Sequence, residues 1–184
     1  MTARQDEFER IAMPHSRSLL RVARRLALDP PMAEDLVQET LLRAWRSFDQ
    51  FQAGTNVRAW LFRILFNSFY AHGRQTRSAP VLVSLEARGK LGEPASVASF
   101  SALDTASITR ALDSLSAEHR AVLLLSVVEG FTCREIAEIL SLPIGTVMSR
   151  LSRGRVALRA LLAPPAPKVC QATAGAGSVA KEAR

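Results

Sequence analysis

The 184-residue sequence predicts an all-α protein, two small helical domains joined by a flexible linker. Three observations carry that expectation. Apolar residues recur at helical spacing through residues 8–77 and again through 103–162. The one strand-like run, Val81-Leu82-Val83, is too short to build a sheet. Between the periodic segments, residues 78–102 hold Pro80, Gly89, Gly92 and Pro94 among many Ser and Ala, the composition of a tether. The last stretch, 163–184, is Ala, Gly, Pro and Ser with two Lys and one Arg, and is expected to be a disordered tail.

The elements follow in order. Phe8, Ile11 and Met13 lead at roughly helical spacing into Leu19, Leu20, Val22, Ala23 and Leu26, which reads as a first helix. Asp29-Pro30-Pro31 stops it. A second helix opens at Pro31 with Glu34 and Asp35 read as first-turn acids, where the helix dipole favours negative charge. It runs to about Phe48 with Leu36, Val37, Thr40, Leu41, Ala44 and Trp45 as its apolar face. After the turn Gln52–Asn56, Thr55 or Asn56 caps a third helix from Val57 to about Gln75. A weak helix over residues 84–88 is possible inside the tether. Beyond it Leu112 and Leu115 resume the periodicity, and Ser116 caps a helix through Ala121, Val122, Leu124, Leu125 and Val128. Glu129-Gly130-Phe131 turns into a short helix, Thr132 to Leu140, and after Ser141–Gly145 a last helix runs to Leu162.

Composition removes several function classes. Lys and Arg number 24 against 17 Asp and Glu, a net charge of +7, which favours a polyanionic partner, nucleic acid first. The longest notable apolar run, Ala121 to Val128, is broken by Ser126 and falls far short of the roughly 20 residues a membrane span requires. The N-terminus carries Asp6, Glu7 and Glu9 with no apolar core of a signal peptide, so a cytoplasmic protein without direct membrane insertion is expected. Cys133 and Cys170 make neither a disulfide framework nor a metal motif, and no metal or cofactor is expected. No Walker loop, GxSxG or HExxH occurs, and His15, His72 and His119 have no partner pattern, so the chain reads as a non-enzyme. His72 beside Arg74 suits a phosphate contact less well than a solvated helix end, and Cys133 beside Arg134 suits an inert helix start better than a reactive thiol.

Three segments carry binding chemistry. In Thr132–Arg155, Ile136, Ala137 and Leu140 give one helix an inward face, and Val147 and Leu151 give the next helix its own. That is helix-turn-helix spacing, in which the second helix enters a major groove. From Pro143 to Leu162 there are four arginines (Arg150, Arg153, Arg155, Arg159) and no acid, and the Gly145 and Thr146 amides open the helix toward a phosphate. The competing reading is a basic amphipathic helix on an ordinary bundle. In the second segment, Phe51 to Arg77, no Asp or Glu occurs, and eight of the chain's 11 aromatics lie between Trp45 and Tyr70. One helix cannot bury Trp60, Phe62, Phe66, Phe69 and Tyr70 on a single face, so some rings are expected to face solvent or a partner. Arginines interleaved with exposed rings suit single-stranded nucleic acid; the alternative is that Phe62 and Phe69 are plain core. The third segment, Ala33–Trp45, concentrates Glu34, Asp35 and Glu39 against the basic trend, either a protein-docking face or, more simply on charge alone, a solvated one.

The motifs DLVQETLLRAW, GTNVRAWLFRILFN, LSAEHRAVLLLSVVEGFTCREIAEIL and PIGTVMSRLSRGR, in this order, resemble bacterial RNA polymerase sigma factors of the extracytoplasmic-function (ECF) subfamily, over roughly Phe8 to Leu162. The resemblance implies a sigma-2 helical bundle at 8–77, a linker at 78–102 and a sigma-4 helix-turn-helix domain at 103–162. Asp35, Leu36, Gln38 and Glu39 would then dock on core RNA polymerase. Phe51, Asn56, Arg58, Asn67, Tyr70 and Arg74 would contact the melted −10 element and capture an extruded base, with Trp60 supporting the loop. Thr146, Met148, Ser149, Arg150, Ser152, Arg153 and Arg155 would meet the −35 duplex, Ser149, Ser152 and Arg153 at base edges and Arg150 and Arg155 at phosphates. Core RNA polymerase, promoter DNA and an anti-sigma factor are the implied partners. Met148, Ser152, Ala71 and the turn residue Ser141 depart from the common family pattern. The alternative function is a stand-alone helix-turn-helix regulator binding duplex DNA without polymerase.

Overall fold

The structure, a computed structural model, describes residues 3–52, 54–76 and 105–163. The expected linker at 78–102, its weak helix and the tail after Ala163 lie outside the described residues. Among those described, there are eight α-helices and no strand: α1 Ala3–Ala12, α2 Ser16–Ala27, α3 Pro30–Arg46, α4 Val57–Thr76, α5 Thr105–Asp113, α6 Ala117–Leu123, α7 Cys133–Leu140 and α8 Ile144–Leu162. The protein is therefore all-α, with α1–α4 forming a first helical module and α5–α8 a second.

Local chemistry explains most boundaries. The first predicted helix is two, because Pro14 sits in a 3-10 turn, Met13–His15, where its missing N–H breaks the helical ladder. Leu28 closes α2 in the left-handed conformation, φ 59°. Asp29 then caps α3, its carboxylate accepting from the Met32 N–H at 3.1 Å, while Pro30 and Pro31 occupy a turn whose N–H groups need no helical partner. Glu34 and Asp35 fall beyond that first turn, so the cap, rather than the expected acids, meets the positive end of the helix. Helix α3 ends at Arg46, and Phe48 belongs to a following 3-10 turn, Phe48–Gln50. Asn56, not Thr55, caps α4, its Oδ1 accepting from the Ala59 N–H at 3.1 Å.

The first module closes around Leu19, Val22 and Leu26 of α2, Leu36 and Ala44 of α3, and Leu61, Phe62, Leu65 and Phe66 of α4. Thr40 sits inside by donating its hydroxyl to the Leu36 carbonyl at 2.7 Å. Phe8 of α1 meets Trp45 and Phe48 edge-on at 5.3 and 5.2 Å. Phe62 and Phe66 are core, while Trp60, Phe69 and Tyr70 are half-buried, so among the described residues no ring of α4 stands fully in solvent. The extra apolar surface of this helix is covered on a second side by the second module.

In that module Ser116 caps α6 as expected, and α6 runs on through a π-helical turn, Leu124–Val128. Thr132 and Glu135 form a complete capping box on α7. The inward face of α7 is Ile136 and Ile139, with Ala137 and Leu140 only half-buried, so the expected face is rotated by one position. Val147 and Leu151 of α8 are buried as expected. Gly154 of α8 lies so near α6 that a Cβ would meet Leu123 at 3.2 Å and His119 at 3.4 Å.

Arg120 of α6 is buried at 5% exposure, yet its five N–H groups face five carbonyls. Nε donates to Leu112 O at 3.1 Å, Nη2 to Asp113 O and Leu115 O, both at 2.8 Å, and Nη1 to Arg25 O at 2.9 Å and Leu26 O at 3.5 Å. The last two close the C-terminal turn of α2, so this one side chain joins the two modules. Burial pushes its pKa down, and the Asp113 carboxylate opposes that shift.

Two outcomes follow from the caps. Ser141 holds the left-handed conformation at φ 54°, which costs a residue with a Cβ about 1 kcal/mol. Ser141→Gly is expected to raise the melting temperature by a few degrees in calorimetry. The Glu135 carboxyl is held below its ordinary 4.5 by the Thr132 backbone N–H and then by the Thr132 hydroxyl. A depressed folded pKa means its stabilisation is present above about pH 4.5 and is lost as pH falls through the folded value. Glu135→Gln, which keeps the capping hydrogen bonds, is expected to lose less melting temperature between neutral pH and about pH 3 than the parent chain.

Candidate nucleic-acid and docking interfaces

Helix α8 presents a clean outer face. On α8, Gly145, Met148, Ser152, Arg153, Arg155, Val156 and Arg159 are exposed, opposite the buried Val147, Leu151 and Gly154. Thr146 and Ser149 are half-buried at its edge, and the Ser149 hydroxyl donates to Thr146 O at 3.0 Å. Arg150 departs from the expected set. Its side chain is only 17% exposed and is paired with Glu118 of α6 at 2.9 Å, so it braces α8 against α6. Six of the seven predicted −35 residues thus line one face or its rim, whose arginines, Arg153, Arg155 and Arg159, have no neighbouring acid on the helix. A helix face of this charge suits the phosphate-lined major groove of a duplex.

The acidic helix α3 divides more sharply. Asp35 and Gln38 are exposed, whereas Leu36 is 1% exposed and belongs to the core, because it falls on the same stripe as Val37, Thr40 and Ala44. Leu36 therefore supports this helix from inside and is not part of its exposed stripe. Glu39 is partly covered and bound within the module by Arg43 and by the His72 ring, both at 2.5 Å. Its carboxyl is held below the ordinary value chiefly by the His72 hydrogen bond, with Arg43 adding to the effect. His72 thus meets a carboxylate, where the sequence suggested either phosphate or solvent. Leu42, missed from the sequence, is 56% exposed at one turn from Gln38, giving the stripe Asp35, Gln38, Leu42 an apolar end. A leucine among polar neighbours at helical spacing from Asp35 was the available signal.

The predicted −10 residues do not share one open face. Phe51 packs on Trp60, with ring centroids 5.0 Å apart, beside a cleft of about 570 Å³ between α1 and the turn preceding α4. Arg4, Arg10, Phe48 and Gly54 also line this cleft. The α1 wall was not foreseen, because nothing near Arg4 in sequence links it to Phe51. Asn67 is exposed on α4. The side chain of Arg74 lies outside the described residues. Asn56 and Arg58 instead face the second module. Asn56 Nδ2 donates to Glu135 Oε1 at 3.0 Å, and Arg58 is bound to Glu129. Tyr70 packs against Phe66 and Phe69, its hydroxyl pKa pushed up by burial while the charges of Arg150 and Glu118 act on it from α8 and α6.

Among the described residues no helix is long and apolar enough to cross a membrane, and no group of three or more His, Cys, Asp or Glu is placed to hold a metal ion. Cys133, at the start of α7, is a half-buried free thiol packed against the core.

Comparison with known proteins places this geometry. Residues 11–79 match the Sigma-70 region 2 family and residues 105–158 the Sigma-70 region 4 family. The chain is 40% identical over 149 residues to the ECF RNA polymerase sigma factor SigL of Mycobacterium tuberculosis, covering 80% of this chain and 84% of SigL. It is 37% identical over 146 residues to EcfG of Rhodopseudomonas palustris, covering 79% of each. Among solved structures it is similar to the sigma factor RpoE bound to the anti-sigma factor NepR from Bartonella quintana, with a TM-score of 0.67, 36% identity and coverage of 85% and 96% of the two chains. CnrH in complex with the cytosolic domain of CnrY gives a TM-score of 0.61 at 26% identity, covering 86% of this chain and 88% of CnrH.

Proposed function

This chain belongs to the ECF sigma factors, which direct RNA polymerase to promoters, and we propose that it does so through three separate surfaces. The observation that carries the assignment of surfaces is the coexistence, in one chain, of an acid-free outer face on α8 and an acidic, leucine-ended stripe on α3. A stand-alone duplex binder needs the first and has no use for the second, and the region 2 match also disfavours that alternative.

The module at 103–162 reads the −35 duplex. Arg153 and Ser152 lie toward the base edges, with Arg155, Arg159 and the Gly145 and Thr146 amides on phosphates. Met148, 57% exposed, offers an apolar contact suited to a thymine methyl. The module at 8–77 engages the −10 element. Extruding a base costs a few kcal/mol, and a ring to stack on must offset that cost. The cleft beside Phe51 supplies such a ring, with Arg10 at its wall to meet the flanking backbone, while Arg4 is held there by Asp49 and the Trp45 ring. Asp35, Gln38 and Leu42 dock on core RNA polymerase, the leucine burying apolar surface at the centre of a polar rim. No bond-making chemistry is assigned to the chain itself. Since the similar RpoE was captured with an anti-sigma factor, we infer the same class of partner here.

Two measurements test the surfaces separately. Arg153→Ala is expected to weaken binding to −35 duplex by about 1–3 kcal/mol while core polymerase binding is unchanged. Loss of both would show that Arg153 acts on the fold. Asp35→Ala combined with Leu42→Ala is expected to weaken binding to core polymerase by about tenfold or more, with −35 duplex binding intact. Run-off transcription from a promoter pool, with and without the chain, reads the whole function, and transcripts independent of the chain would overturn it.

A further inference from the structure

Glu129 stands in the connection between α6 and α7, flanked by the exposed Val128 and Gly130, yet its side chain has no solvent exposure. A buried carboxylate requires compensating charge, and both compensating groups come from the first module. Arg21 of α2 donates to Oε1 through Nη2 at 2.8 Å and Nε at 3.2 Å. Arg58 of α4 pairs with Oε2 and also donates to the Glu129 carbonyl at 2.6 Å. The Arg58 guanidinium lies 4.6 Å from the centre of the Phe131 ring, which meets Phe62 edge-on at 5.5 Å. Beside this contact Glu135 takes the Asn56 amide.

Two features of the contact point beyond simple packing. Each carboxylate oxygen has its own arginine, the forked arrangement that guanidinium groups also offer to the oxygens of a phosphate. The arginine on α4 belongs to a stretch, 51–77, that contains no acid of its own, so the negative charge on it is supplied entirely from the other module. Arg21 remains 54% exposed and Arg58 33% exposed, so an extended backbone passing this edge of the module can reach both once Glu129 leaves.

We propose that Arg21 and Arg58 form a phosphate-binding site for the single-stranded −10 strand, and that Glu129 fills it as a stand-in for phosphate in the free chain. The chain is thereby held closed, with Asn56 and Arg58 withheld from DNA until the two modules separate. The proposal rests on the assignment of 8–77 to the −10 strand and adds Arg21 and the Glu129 latch to it. Docking of the two modules on separate surfaces of polymerase supplies the opening, since the strand and Glu129 compete for the same two guanidinium groups.

The test uses the full chain and three variants, Glu129→Gln, Glu129→Gln with Arg21→Ala, and Arg21→Glu, each first checked for native helicity by circular dichroism. The probe is a fluorescein-labelled oligothymidylate, which reads phosphate contacts without a promoter sequence, followed by anisotropy over a salt series in the absence of polymerase. Small-angle scattering reports the separation of the modules. Glu129→Gln is expected to enlarge the radius of gyration and to tighten strand binding by about tenfold. Adding Arg21→Ala is expected to keep the chain open, weaken the strand again and lower the salt slope by about 0.7. Arg21→Glu is expected to open the chain with no gain in strand binding. An unchanged radius and unchanged affinity in Glu129→Gln would overturn the latch, and full affinity in the Arg21→Ala double variant would overturn the phosphate site. Run-off transcription with core polymerase by the parent chain keeps the two readings apart: no chain-dependent transcripts there, beside a gain in strand binding by Glu129→Gln, would strike the sigma role and leave the latch standing.

Discussion

The arrangement of this chain depends on one buried guanidinium. Arg120 is a charge placed where water cannot reach it, and a charge so placed persists only if every donor finds an acceptor. The acceptors are carbonyls left over at chain ends: Leu112, Asp113 and Leu115 where α5 gives way to α6, and Arg25 and Leu26 where α2 closes. These are the groups that a helix terminus leaves unpaired and negatively polarised. One side chain therefore solves three local problems at once and, in doing so, sets α6 against α2. A lysine at this position offers three donors from a single point and cannot reproduce the planar fork.

Glu129 is the complement of Arg120. Both are charged, both are buried, and both belong to the second module while reaching into the first. They differ in what they bind. Arg120 is satisfied by backbone, which no ligand competes for. Glu129 is satisfied by two arginine side chains, Arg21 of α2 and Arg58 of α4, groups that a polyanion can also bind. The interface between the modules thus combines a backbone-directed contact, which breaks when the modules separate, with one that a polyanion can compete for. Phe131, buried beside Glu129 against Phe62, adds apolar area that only the closed arrangement covers.

Much of the secondary structure was legible because it rests on neighbours in sequence. Ser116, Thr132 and Asn56 cap their helices through bonds three residues away, and the burial of Val147 and Leu151 repeats with the helical period. Ser141 stands out in the sequence as a departure from the family pattern, and the structure adds that its backbone is left-handed. Pro14 is equally visible in the sequence, and its missing N–H divides the predicted first helix into two. The site residues were less legible. Leu36 and Arg150 sit in the right motifs but face inward, and the exposed Leu42 and the arginines of α1 carry no motif at all. Orientation around a helix is decided by which stripe meets a neighbour, and a motif records residue types without recording that.

By itself the sequence determined that the chain is helical, that it divides into two helical segments, that one helix carries an acid-free basic face, and that four motifs follow the order of ECF sigma factors. Each of these depends on interactions within a few residues or on composition. Only the tertiary structure decided that Asn56 and Arg58 are bonded to the second module, that Arg21 shares a carboxylate with Arg58, and that Arg120 joins α6 to α2. The reason is distance along the chain. These partners lie 71 to 108 residues apart, and no local preference of Arg21 or Glu129 encodes the other. Their meeting is imposed by the packing of two cores that bring α2, α4 and α6 side by side, after which the buried charges have only each other to bind.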